Sequence, residues 1–360
     1  MKVNKDELLQ QLKVAGKLPT GPQQLDDCIQ IFGSQEDGKL FLESVRQGAI
    51  WYRSEITAVD DPTMFEPRMM NLDMLTRLVD RMPSGVIKLV TDGASKIKVS
   101  GGRRRGTLSC IDDRFHMGAG DQETTLLYEG TNHFTELAPK LASVTANGSG
   151  AWDCAAFFPE NGKVYASVRG GNIFAADFPM TGVDHPIMVS ASLLTPLAML
   201  PGDIRLCLQG NGILVTGEGW GYFCVRSALD APTYPQVLSR FTSAETMMAH
   251  MGVVVSEMKD LYMAVKGTAT TAKVDIRRGK VKMKTGQWAD QAVSFETEKE
   301  IEHEGNLAFE VTPGNFLAIA PLMVGDGSVS VAKVPGSHMF MTSPLGSGTI
   351  SCISDSLVYE

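Results

Sequence analysis

Apolar positions along this chain recur in two rhythms. Segments such as Cys28-Ile29-Gln30-Ile31-Phe32, Leu40-Phe41-Leu42 and Tyr222-Phe223-Cys224-Val225 are short, rich in aromatic and β-branched residues, and bounded by turn residues. That pattern predicts strands. Other segments space their apolar side chains three and four apart, which predicts amphipathic helices. These are Leu8, Leu12 and Ala15; Leu75, Leu78, Val79 and Met82; Phe134, Leu137, Leu141 and Val144. They continue with Leu193, Leu194, Leu197 and Leu200; Met247, Met251, Val255 and Met258; then Phe316, Leu317 and Leu322. Asn4 followed by Glu7 reads as a capping box for the first helix. Pro139 falls inside the third and should bend or shorten it. The methionine stripe reads either as a core face or as an adaptable binding groove.

The elements repeat. One recurring piece is a strand, a Gly-Lys turn and a second strand. It occurs at Asp27–Phe32 with Gly38–Arg46, at Asp153–Phe158 with Gly162–Arg169, and more weakly at Ala272–Ile276 with Gly279–Met283. The Gly-Lys pairs lie 124 and 117 residues apart. A second piece is a helix, a turn and three strands. Its helix ends at Met82-Pro83-Ser84-Gly85, Leu200-Pro201-Gly202-Asp203 and Met323-Val324-Gly325-Asp326. Its last strand reads Gly106-Thr107-Leu108-Ser109-Cys110-Ile111, then more loosely Gly221–Val225, then Gly348-Thr349-Ile350-Ser351-Cys352-Ile353. A fixed period of this kind is the signature of tandem structural units. The predicted fold is α+β: three copies of one domain, each with two helices packed on antiparallel sheets of about eight strands. The patternless stretches 114–130 and 229–242 put the domains at 1–122, 123–241 and 242–360.

Composition narrows the function. With 360 residues, 43% apolar and 21% charged, the chain is an ordinary globular one. No apolar run is long enough to span a membrane, and the charged start Lys2–Glu7 is unlike a signal peptide. A cytoplasmic setting is therefore expected. The six cysteines form no CxxC pair and no metal-ligand spacing with histidine. Five of them fall on two repeat positions, Cys28 with Cys154 and Cys110 with Cys224 and Cys352, which favours packing over chemistry. No nucleotide-binding or hydrolase motif is present, so neither catalytic residue, metal nor cofactor is expected. Gly217–Gly221 has glycine spacing but lies between strands and reads as a turn. The net charge of −8 requires any cations that meet nucleic acid to be gathered on one face.

Each such domain has two free sheet edges, and bare edges aggregate unless covered. Edge-to-edge joining within the chain and head-to-tail joining with a second copy close a ring. Twelve helices at axis spacings of about 8–10 Å give a circle roughly 32–38 Å across. Subtracting a helix diameter of about 10–12 Å leaves a hole of roughly 20–28 Å, the size of a nucleic-acid duplex with a water layer. Lys5, Lys13 and Lys17 on the first helix, and Arg77 and Arg81 on the second, lie off the apolar stripes. They read either as a solvated face or as contacts to backbone phosphate.

In this order and spacing, the chain resembles the bacterial β sliding clamp, the processivity factor of the replicative DNA polymerase. The resemblance runs over essentially the whole length. It is carried by Met1–Gly16, by Ile97–Arg105 with Thr107-Leu108-Ser109, by Ala231-Pro232-Thr233-Tyr234-Pro235-Gln236-Val237-Leu238, and by Phe309-Glu310-Val311 leading into Phe316-Leu317. It implies a homodimeric ring around duplex DNA, held without sequence preference. It also implies a hydrophobic pocket that takes a linear peptide motif of the DNA polymerase and the clamp loader. By position, the pocket would draw on Arg169, Gly171, Asn172, Ile173, Phe174, Leu238, Ser239, Thr271, Thr312 and Asn315. Ile173 and Phe174 read equally well as plain core. The DNA face would add Lys140, Trp152, His250 and Lys259, with contact weaker there than in the first domain. The dimer contact would use Arg105, Thr107, Leu108 and Cys110. The closing segment Ser354–Glu360 departs from the strand that usually forms the pocket floor.

Two rival readings stand beside this one. A structural β-rich repeat protein, such as a virion component, would turn its helices toward another protein. A hydrolase would use Asp112, Asp113 or His116, which sit in a linker without evident partners.

Overall fold

The computed structural model describes the chain except for residues 20–23, 35–37, 47–49, 64, 94, 112, 114, 116–122, 146–148, 169–171, 240–245, 266–270, 286–294, 303–305, 325–328, 333–337 and 352–360. In chain order the elements are β1 (Lys2–Asn4), α1 (Lys5–Ala15), β2 (Cys28–Ser34), β3 (Lys39–Arg46), β4 (Ile50–Ile56), β5 (Arg68–Asn71), α2 (Leu72–Asp80), β6 (Val86–Thr91), β7 (Lys96–Gly101), β8 (Arg104–Ser109) and β9 (Thr124–Thr131). Next come α3 (Phe134–Thr145), β10 (Cys154–Phe158), β11 (Lys163–Val168), β12 (Asn172–Asp177), β13 (Ile187–Ser190), α4 (Ala191–Leu194), β14 (Asp203–Gln209), β15 (Gly212–Gly217) and β16 (Trp220–Val225). The remainder is α5 (Tyr234–Ser239), β17 (Thr246–Ala249), α6 (Met251–Ala264), β18 (Ala272–Arg277), β19 (Lys280–Thr285), β20 (Glu296–Glu300), β21 (Leu307–Val311), α7 (Pro313–Met323), β22 (Val329–Ala332), β23 (His338–Ser343) and β24 (Gly346–Ser351).

The chain divides into two compact units. The first comprises Met1–Ala138, Thr181–Val183 and Ser192–Ser227; the second comprises Pro139–Met180, Asp184–Ala191 and Ala228–Glu360. Each holds one four-stranded and one eight-stranded antiparallel sheet. In the first unit the orders are β1-β6-β7-β8 and β5-β2-β3-β4-β16-β15-β14-β9. In the second they are β20-β19-β18-β21 and β13-β10-β11-β12-β24-β23-β22-β17. Each eight-stranded sheet joins four strands from one third of the sequence to four from another, at β4–β16 and at β12–β24.

The helices form for the reasons their patterns predict, with four differences. Leu8, Leu12 and Ala15 of α1 and Leu75 and Val79 of α2 are fully buried, as are Ile87, Leu89, Ile97 and Val99 on the inner face of β6 and β7. Each of the buried Leu, Ile and Val side chains contributes about 1.5–3 kcal/mol. Asn4 caps α1 by accepting from the Asp6 and Glu7 amides. Glu7 does not reach back to complete the box, because its carboxylate accepts from the Thr57 amide at 2.8 Å. The helix expected over Leu193–Leu200 is one short α segment followed by a 3-10 turn over Thr195–Met199. Pro196 lacks the N–H that an α-helix needs there. α3, by contrast, keeps its 12 residues through Pro139. Met247 lies on strand β17; the helix starts only at Met251.

Helix and sheet approach closely where Gly106 and Gly348 sit. A Cβ on Gly106 would fall 2.3 Å from Leu78 Cδ1, and one on Gly348 would fall 2.9 Å from Ile319 Cγ2. Both clashes are with the helix lying on that strand, so both positions call for glycine. No helix of the described residues is long and apolar enough to cross a membrane.

Candidate nucleic-acid and partner interfaces

The C-terminal end of α2 gathers cations. Its last carbonyls lack helical partners and carry partial negative charge. Lys5 Nζ, at the start of α1, donates to Asp80 O at 3.1 Å. The Arg104 guanidinium, from β8, donates to Arg81 O. Arg77 is 78% exposed in its side chain and pairs with Asp73 at 2.6 Å, one helical turn away. Lys5, Arg77, Arg81 and Arg104 therefore share one helix end. Arg104 was not singled out from sequence; only its register across from Gly101 places it here. Lys13 and Lys17 are exposed farther along the same segment.

The second unit is poorer in cations. Lys140 is half-buried on α3, and Lys259 is exposed on α6. His250 precedes α6, with Nε2 3.3 Å from Glu302. Trp152 is 40% exposed in a 3-10 turn over Gly150–Asp153. α7 carries no charged residue at all.

An apolar cluster forms where α5 covers the β10–β12 face. Ile173, Ala175, Phe158, Tyr165, Cys154 and Phe340 pack with Tyr234 and Leu238 of α5, and Val237 lies half-buried at the margin. Tyr165 and Tyr234 stack at 5.8 Å between ring centroids. The Tyr234 hydroxyl is 3.0 Å from Ser167 Oγ, so its polar end is satisfied inside an apolar surround. Ile173 and Leu238 are both buried, and the cluster is packed shut.

The residues expected to build a pocket are placed as follows. Ile173 and Leu238 join the cluster. Phe174 does not: strand alternation turns it to the other face of the sheet, where it is fully buried and abuts Gly346. Asn172 Nδ2 donates to Asn315 O at 3.2 Å, and the Ile173 amide donates to the Thr349 hydroxyl at 3.1 Å. Ser239 caps α5 locally, donating to Gln236 O at 3.0 Å. Thr271 is buried and donates to Glu310, while Thr312 is exposed ahead of α7; neither belongs to the cluster. Arg169 and Gly171 lie outside the described residues, as do Asp112 and His116.

β8 and β20 each end a four-stranded sheet, paired on one side only among the described strands, with β7 and with β19. Their charges are opposite. Arg103 precedes β8, and Arg104 and Arg105 open it; Thr107 is exposed and Leu108 buried, and Cys110 follows, half-buried. β20 reads Glu296-Thr297-Glu298-Lys299-Glu300, with all three glutamates exposed. Glu298 accepts from Lys280 at 2.6 Å and from Lys282 at 2.9 Å. These two ammonium groups pull its carboxyl down to about 2. Sequence reasoning named no residue of this edge; the alternating Glu-x-Glu-x-Glu of residues 296–300 is the signal that could have marked it.

No protein-family model matches the chain, and no curated protein matches it. Solved structures do match in fold. A DNA polymerase III β subunit from Thermotoga maritima aligns with a TM-score of 0.79 at 12% identity, covering 98% of both chains. The β chain of DNA polymerase III from Streptococcus pneumoniae aligns at 0.78 and 13%, again over 98% of both. A sliding clamp from Pseudomonas aeruginosa aligns at 0.78 and 14%, over 98% of this chain and 99% of the other. The chain has the α+β fold of these sliding-clamp structures over nearly its full length.

Proposed function

We propose that this protein is a DNA sliding clamp, a non-enzymatic processivity factor. Two copies close head to tail around duplex DNA and tether the replicative polymerase. The three-domain division at 1–122, 123–241 and 242–360 belongs to this reading. The observation that carries it is the pattern of sheet edges. β4 is already joined to β16, and β12 to β24, inside the chain. Counted from the Gly-Lys turns, β20 is the third member of the β4 and β12 series. From its Gly-Thr-(Leu/Ile)-Ser string, β8 belongs with β24. On this reading the free sides of β8 and β20 are the two halves of one more joint, formed with a second copy.

The register of that joint follows from the existing one. Gly348 faces Phe174, and Lys163 faces Asp177. In the third copy Lys280 faces Glu300, so Thr297 takes the place of Phe174 and should face Gly106. Arg105 then meets Glu298 of the second copy, Arg103 meets Glu300, and Thr107 meets Glu296. All of these lie on the solvent face of the pleat, and the two arginine pairs set opposite charges directly across the strands.

Lys5, Arg77, Arg81 and Arg104 supply phosphate contacts without reading bases. Lys13, Lys17, Lys140, Trp152, His250 and Lys259 extend this face more weakly. The α5-covered cluster around Ile173 and Leu238 is the docking place for the linear motif of polymerase and loader. Peptide side chains would enter beside Val237. Cytoplasmic localisation goes with this reading.

Light scattering on the purified protein should give the mass of a dimer. Arg103→Glu with Arg105→Glu should give monomers, and adding Glu298→Arg with Glu300→Arg should restore dimers. The dimer should stay on nicked circular DNA and be lost when the circle is cut. A wild-type monomer, trimers or larger arrays, or retention indifferent to cutting would overturn the proposal.

A further inference from the structure

The exposed face of the β1-β6-β7-β8 sheet, on the side away from α1 and α2, is cationic and only partly compensated. Residues 86–109 hold six Lys or Arg and one acid, Asp92. Alternation puts Lys88 on β6 and Lys96 and Lys98 on β7 on that face, together with Lys2 on β1. Lys2 and Lys88 stand directly opposite one another in the ladder, a like-charge pairing that costs stability. Relief is partial. Lys2 lies 3.7 Å from Asp60, and Lys98 lies 2.9 Å from Asp92. No carboxylate is within ion-pair distance of Lys88 or Lys96 among the described residues.

The four-stranded sheet of the second unit is built the same way and is neutralised. There Lys280 and Lys282 share Glu298, Lys273 lies 3.7 Å from Glu310, and Arg277 binds Asp275 at 2.7 Å. The topology therefore does not require the cationic face of the first sheet.

Two valines sit among these lysines. Val86 is 55% exposed and Val90 is 37% exposed, on the same face as Lys88. No aromatic side chain accompanies them on β1, β6, β7 or β8. Single-stranded nucleic acid is usually held by aromatic stacking as well as by cations, and phosphates gain nothing from valine. A peptide carrying carboxylates and aliphatic side chains matches both features.

We propose that this sheet face docks an acidic, aliphatic-bearing peptide segment of a partner protein, through Lys88, Lys96 and Lys98 with Val86 and Val90. The site is distinct from the Ile173 cluster and does not depend on the clamp reading, since pairing along β8 leaves the face of the sheet open.

The test uses the full chain and a fluorescein-labelled dodecamer of alternating Glu and Leu, followed by anisotropy. Binding should fall by at least about tenfold in Lys88→Glu/Lys98→Glu and by about threefold or more in Val86→Ser/Val90→Ser. It should be unchanged in Lys282→Glu, on the neutralised sheet. Lys88→Gln/Lys98→Gln gives an intermediate loss and guards against a folding defect, which thermal unfolding would reveal. Absence of binding, equal binding by wild type and the double Glu variant, or valine variants that bind normally would each overturn the proposal. Displacement of the peptide by oligo(dT), lost in the same lysine variants, would assign the face to nucleic acid and overturn it as well.

Discussion

The same place in two sheets has been filled in opposite ways. Arg53 on β4 lies across from Glu43, the fourth residue after the lysine of the first Gly-Lys turn. Ile173 on β12 lies across from Ser167, the fourth residue after the lysine of the second. Around Arg53 the neighbours are charged and aromatic: its guanidinium sits 3.7 Å from the Phe41 ring centroid and 5.3 Å from that of Phe32. Glu43 is buried there and accepts from Trp51 Nε1 at 2.7 Å. Around Ile173 the corresponding positions hold Ser167, Tyr165 and Ala175, and α5 lays Tyr234 and Leu238 over them. Opposite charges beside a pair of aromatic rings finish the first face by themselves. The second face has given up its charges and needs a cover. An apolar face that needs a cover is also one that a partner's apolar side chains can share.

The largest effect should come from moving the first solution into the second site. Ile173→Arg puts a guanidinium into a cluster with no carboxylate at the Glu43 position. An uncompensated buried charge costs about 3–5 kcal/mol. Urea unfolding should show that loss. A loss below about 1 kcal/mol would mean the two sites are less different than their side chains suggest.

The converse exchange should cost less and be recoverable. Arg53→Ile removes the cation over Phe41 and leaves the buried Glu43 with only Trp51 as a partner. A loss of about 1–3 kcal/mol is expected. Adding Glu43→Ser, the residue that the second site uses, should return part of it. A double-mutant cycle measures the coupling, and additive losses would show that Arg53 and Glu43 do not work as a pair.

How far the sequence reached can be judged at these positions. Helix stripes, the Asn4 cap and the Gly-Lys turns were legible because each is encoded within a few neighbouring residues. The edge logic was legible because Gly106–Cys110 and Gly348–Cys352 are nearly the same string. What could not be read depended on register. Phe174 was grouped with Ile173, although a strand turns neighbours to opposite faces, and nothing local fixed which one faced α5. Arg53 gave no signal, since its two aromatic neighbours lie on other strands. Arg104 looked no different from Arg103 and Arg105 until the pleat separated it toward α2. Pro196 was overlooked because the leucine stripe around it has good helical spacing; since α3 runs through Pro139, the proline alone does not account for the shorter helix.

The smallest predicted effect is a pH dependence confined to the first site. Burial holds the Glu43 carboxyl above its ordinary value of 4.5, and the Trp51 hydrogen bond and the Arg53 charge only partly offset this. The folded state therefore binds the proton more tightly than the unfolded chain does. For a group of this sign, stability is greatest below the unfolded value near 4.5 and declines as pH rises through the higher folded value. Glu43→Gln keeps an oxygen for Trp51 Nε1 and cannot titrate. Compared with wild type, it should gain stability steadily as urea unfolding is repeated from pH 4 to pH 7. The gain should be larger in an Arg53→Ile background, where the offsetting charge is gone. Ser167 cannot show any such slope, so Ser167→Ala should shift stability equally at every pH. If Glu43→Gln gives a pH-independent difference, the Glu43 carboxyl is not held above its ordinary value, and the charged character assigned to this face would rest on Arg53 alone.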